Sequence, residues 1–135
     1  MRKLSDPLVA SHLLFVLNAL FWYWADSIPC ALLLLASCGA STGHHLTRES
    51  NVLMRRVDVS FAIWALVGTV SYSFAFMGPH EMATCAALLG SALAIKKWGD
   101  RRGPYRRWHT LWHVMVFVGQ AYLAYISGAF APLTC

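Results

Sequence analysis

Charge is what this chain lacks. Only 13% of its 135 residues are charged, whereas about a quarter is usual in soluble domains. Acids are scarcest, with six Asp and Glu against eleven Lys and Arg. Hydrophobic residues make up 58%, and the mean hydropathy is +0.51. That balance excludes an ordinary soluble domain and points to an integral, multi-pass membrane protein. Open strands cannot cross a bilayer, because their unpaired backbone groups are too costly in hydrocarbon. The expected fold is therefore an all-α integral membrane helix bundle, one domain over residues 1–135.

Other absences narrow the reading further. Cys30, Cys38, Cys85 and Cys135 show no CxxC spacing, so a cysteine metal knuckle is excluded. Three of them lie in apolar stretches and read as packing residues, while Cys135 reads as a lone exposed thiol. No internal repeat or low-complexity stretch stands out. No nucleic-acid recognition motif accompanies the basic residues, so they are read as topology determinants and contacts to anionic headgroups, with no nucleic-acid partner.

What is present is a series of five apolar segments: Pro7–Ala25, Ile28–His45, Val57–Met77, Met82–Ala94 (extending to Trp98) and Trp108–Ile126. Each approaches the length needed to cross about 30 Å of hydrocarbon at about 1.5 Å per residue. The fourth is rich in Gly, Ala and Cys, which suits close helix packing. The first is too long and too aromatic, with Phe21, Trp22, Tyr23 and Trp24, for a signal peptide, and reads as a signal anchor.

The basic residues set the expected topology. They occur as Arg2 and Lys3, as Arg48, Arg55 and Arg56, and as Lys96, Lys97, Arg101, Arg102, Arg106 and Arg107. With five spans, all three groups fall on one side. Eleven cations there against Asp6, Glu49, Asp58 and Asp100 leave +7, while Asp26 and Glu81 leave −2 opposite. The positive-inside rule then places the N-terminus and the basic loops on the cytoplasmic side.

The same topology brings polar residues together. Ser41 and His45 are four apart near the end of the second segment, so they share a helix face. Asp58 is expected in the first turn of the third, where the helix dipole favours an acid. His109 and His113 open the last segment, again four apart. Ionisable residues at membrane depth are costly and mark functional sites. Three imidazoles with an open position suit catalytic zinc; Asp58 is suited to hold or deprotonate a water, and Ser41 to steady the site by hydrogen bonding. His44 points about 100° away from His45, and only one of the two can share the face of Ser41. Bland readings stand beside these: an Asp58 ion pair with Arg55 or Arg56, interface histidines beside Trp108 and Trp112, and a helix-bridging Ser41. Gln120, seven after His113, is expected to bridge helices deeper in the bundle. His12, Ser11 and Asn18 are expected to pack internally.

Ser41-x-x-x-His45 at the end of one span, Asp58 opening the next, and His109-x-x-x-His113 in the last span resemble the CREST superfamily. That group holds the alkaline ceramidases, the adiponectin and progestin receptor family and Per1-like lipid-remodelling proteins. Ser41-Thr42-Gly43-His44-His45-Leu46 followed by Arg56-Val57-Asp58-Val59-Ser60 reads closest to the receptor branch. The resemblance implies a zinc ion on His45, His109 and His113, with Asp58 against the zinc-bound water and Ser41 alongside. It further implies hydrolysis of the amide bond of a ceramide-like membrane lipid near the cytoplasmic side. The family has seven spans and this chain has five expected ones. Two rival expectations remain: an accessory subunit of a larger membrane complex, and a haem site on His45 and His113.

Overall fold

The computed structural model describes residues 6–47, 51–102 and 104–130. Arg2, Lys3, Arg48 and Cys135 lie outside the described residues. The described chain is helical, with no strand, and comprises α1 (Pro7–Ala10), α2 (Leu13–Trp24), α3 (Ile28–Leu46), α4 (Val52–Phe74), α5 (Pro79–Arg102) and α6 (Tyr105–Phe130). The helices α1 and α2 follow one another as a single rod with a break at Ser11 and His12, so the bundle has five rods.

Hydrogen bonding tightens at that break. The Ser11 hydroxyl donates to the Leu8 carbonyl at 2.7 Å, and the main chain tightens there, with His12 N–H donating to Val9 O at 3.1 Å and Phe15 N–H to His12 O at 2.9 Å. Ser11 and His12 are both buried.

The α2–α3 turn is closed by Asp26, which adopts the left-handed conformation at φ 55°. Short polar side chains tolerate that region. The Ser27 N–H then donates to Trp22 O at 3.0 Å and ends the helix. The next helix starts earlier than the hydropathy suggests. The Asn51 side chain accepts from Leu53 N and Met54 N at 3.0 and 3.1 Å, capping α4 at Val52. Asp58 is therefore the seventh residue of α4, past its first turn, and the expected dipole placement is corrected.

At the centre, α6 packs on α2, α4 and α5, with α1 against its first half, and α3 joins α2 to α4. The ion pair of Arg106 with Asp6, 2.6 Å, ties the start of α6 to the start of α1. Gly99 on α5 lies so close to Trp108 on α6 that an added Cβ would overlap the indole. Two rods, Pro7–Trp24 and Val52–Phe74, are long and apolar enough to cross a membrane. The leucines of α3 are diluted by Ser37, Ser41, Thr42, His44 and His45, and α5 carries Lys96 and Lys97.

The interior mixes an apolar core of Phe15, Trp22, Leu34 and Leu123 with many polar side chains. His12, Asn18, Ser37, Ser41, His45, Thr69, His113 and Gln120 are buried, whereas Leu13, Leu20, Leu32, Ile63, Trp64 and Leu93 are more than half exposed. Gln120 bridges helices as expected, accepting from Trp22 Nε1 at 3.2 Å and donating to Thr69 Oγ1 at 2.9 Å.

Candidate metal centre

His113 shows most clearly what the site is prepared to do. The single Ser11 hydroxyl proton is donated to Leu8 O, so Ser11 Oγ is left to accept from His113 Nδ1–H, at 2.7 Å. That bond fixes the neutral tautomer with a lone pair on Nε2. This atom is buried and has no hydrogen-bond partner. A histidine held by a hydroxyl through one nitrogen, with the other bare, is the usual arrangement of a metal ligand and its outer support.

Three further rings gather around it. His45, fully buried on α3, lies 5.9 Å from His113 between ring centroids. His109 on α6 lies 4.8 Å from His113 and 4.9 Å from His45. His12 lies 4.8 Å from His113 and 5.1 Å from His45. One ligand nitrogen from each of His12, His45 and His113 can be chosen so that all lie within 4.8 Å of one another. Three buried histidines are thus close enough to hold a metal ion. Unlike His113, His12 has both nitrogens engaged, Nε2 with Ser41 Oγ at 3.2 Å and Nδ1 with Thr42 Oγ1 at 3.1 Å.

The sequence-predicted residues fall as follows. Ser41, His45, His109 and His113 meet in one cluster. Asp58, half-buried, lies beside Ser41, with His45 and His44 near enough to act on it electrostatically. His44 is buried as well, with Nδ1 lacking a partner, and its ring is 5.0 Å from that of His45. Sequence reasoning missed His12. The expected internal packing of Ser11, His12 and Asn18 is seen, since all three are buried, but the place of His12 beside His45 and His113 was not foreseen. It also missed Lys96, which the charge count assigned to a loop. Lys96 sits within α5, with its ammonium 4.5 Å from the Trp112 ring centroid, close enough to act on Asp58 and His109.

A haem on His45 and His113 does not fit this geometry. His12 and His109 flank the pair at 4.8–5.1 Å, where the macrocycle would have to lie.

Below the cluster, a cavity of about 90 Å³ is lined by Phe15, Leu34, Ala65, Leu89, Trp112 and Gln120, among others. Phe15 stands edge-on to His113 at 5.6 Å, so the cavity begins directly beneath the imidazoles. A second apolar cavity, between α4, α5 and α6, shares Leu66, Leu89, Ala92, Val116 and Gln120 with the first. The helices α4 and α5 scarcely touch, which leaves this side loosely closed.

No family model, curated protein or solved structure matches this chain.

Proposed function

We propose that this protein is a membrane-embedded, zinc-dependent hydrolase of a ceramide-like lipid amide. The observation that carries the reading is the buried histidine cluster, with its bare and pre-oriented His113 Nε2, set above an apolar cavity. An all-imidazole donor set with a carboxylate nearby fits zinc.

Membrane insertion is supported by the apolar exterior of the bundle, together with the two rods long and apolar enough to span. In water, so much exposed Leu, Ile and Trp would drive aggregation.

In this reading His45, His109 and His113 are the zinc ligands. A zinc ion held there supplies Lewis acidity and lowers the pKa of a water to roughly 7. Asp58 accepts the proton of the attacking water and passes it to the leaving amine. Ser41, between Asp58 and the imidazoles, orients that carboxylate. Lys96 offers positive charge to the amide oxygen as negative charge develops on it. The small apolar cavity takes only the part of the hydrocarbon chain next to the amide, and the rest of the chain stays in the bilayer past the loosely closed α4–α5 side.

The test is metal analysis of the purified protein, followed by incubation with fluorescent ceramide in mixed micelles. About one zinc per chain and release of the labelled fatty acid are expected. Folded protein that binds no zinc from buffered zinc solution would sink the proposal.

A further inference from the structure

We infer that His12 is an exchangeable ligand of this metal centre. It binds the ion when the site is closed to water and rests on Ser41 and Thr42 when the site is open. The inference builds on the metal reading above and adds a fourth histidine to its set of three.

The four imidazoles form two triangles that share an edge. His45 and His113 make the shared edge, 5.9 Å between centroids. His12 closes one triangle at 5.1 and 4.8 Å. His109 closes the other at 4.9 and 4.8 Å. An ion held between His45 and His113 therefore has both His12 and His109 as neighbours. The nearest nitrogens of His12, His45 and His113 already lie within 4.8 Å of one another. Nitrogens around tetrahedral zinc are about 3.4 Å apart for Zn–N bonds of about 2.05 Å. Closing that difference takes shifts on the order of 1 Å, within the reach of side-chain rotation alone.

His12 is the ring suited to exchange. His113 is anchored by Ser11 and has one nitrogen bare. His12 instead rests both nitrogens on hydroxyls, at 3.2 and 3.1 Å, longer than the 2.7 Å of the Ser11–His113 bond. It also sits at the break between α1 and α2, where the chain is not locked into a continuous helix. Four imidazoles would saturate a tetrahedral ion, whereas three leave a position for water. Movement of His12 onto Ser41 and Thr42 thus opens the centre. Its return closes the centre.

The probe is Co(II), titrated into the full chain in detergent and read by its visible absorption, with azide as a competitor for an open coordination position. His12→Gln removes a ligand, and Thr42→Val removes a hydroxyl that competes for it. His12→Gln should weaken Co(II) binding about tenfold or more and strengthen the response to azide. Thr42→Val should tighten Co(II) binding severalfold and suppress the azide response. The inference stands only on those opposite signs. Unchanged affinity in either variant, or a loss in both as a merely structural role would give, overturns it while leaving the zinc reading intact. Failure of the wild-type protein to bind Co(II) or zinc overturns both. Should His12→Gln fail to fold, judged by helical circular dichroism, the sign of the Thr42→Val change decides alone.

Discussion

Two layers of this bundle bury polar side chains, and they treat them differently. In the lower layer, Gln120 satisfies Trp22 and Thr69, and Ser73 pairs with Ser127 at 2.9 Å across α4 and α6. In the upper layer, four histidines crowd together and His113 Nε2 finds no partner. A satisfied polar network holds helices together. An unsatisfied and pre-oriented lone pair is a standing cost that a bound ion would relieve. Asn18 marks the boundary, buried between the layers with neither end of its amide partnered. Chemistry is therefore assigned to the upper layer and cohesion to the lower.

The largest effect that can break this division is His113→Ala. It should abolish metal binding and amide turnover while leaving the helical signal intact, as read by metal analysis and circular dichroism. Metal retention in the wild-type protein should also fall on acidification, as read by metal analysis across a pH series, since protonated rings cannot ligate.

Ser11→Ala removes only the outer support of His113 and should weaken metal affinity by about 10- to 100-fold, measured by competition with a chelator. If Ser11 were a lower-layer kind of residue, affinity would stay at the wild-type value.

Gln120→Leu tests the lower layer. It leaves the buried Trp22 N–H unpaired and should cost about 1–3 kcal/mol of stability in detergent unfolding, with zinc content unchanged. Loss of zinc in this variant would dissolve the distinction between the layers. The smallest effect belongs to Ser73→Ala and Ser127→Ala, whose double-mutant cycle should return a coupling of about 0.6 kcal/mol, as is usual for hydrogen bonds between membrane helices.

Much of the upper layer was legible along the chain. The i, i+4 pairs Ser41–His45 and His109–His113 fall on shared helix faces, and one charge argument sends both pairs and Asp58 to the same side. Gln120 follows from its heptad distance to His113. The early start of α4 was also written locally, in Asn51 before Val52, but the hydropathy of Arg55 and Arg56 masks it. The role of His12 was not legible. Its burial continues the helical stripe of Leu8, Phe15, Ala19 and Trp22, but which rings it meets depends on how the first rod packs against α3 and α6. The proximity of Lys96 to Trp112 and Asp58 was hidden for a related reason. Charge counting places a lysine on a side of the bundle and cannot place it against a particular ring.

By itself the sequence determined the helical class, the shortage of charge that makes a lipid exterior the natural one, and which residues could share a helix face. These follow from composition and from a period of about 3.6, both local properties. Only the tertiary structure decided which faces meet. It brought Ser11 against His113, set His12 among the other histidine rings, and left His113 Nε2 bare. Those outcomes depend on packing between α1, α3 and α6, where contacts distant in sequence set distances that no local rule contains.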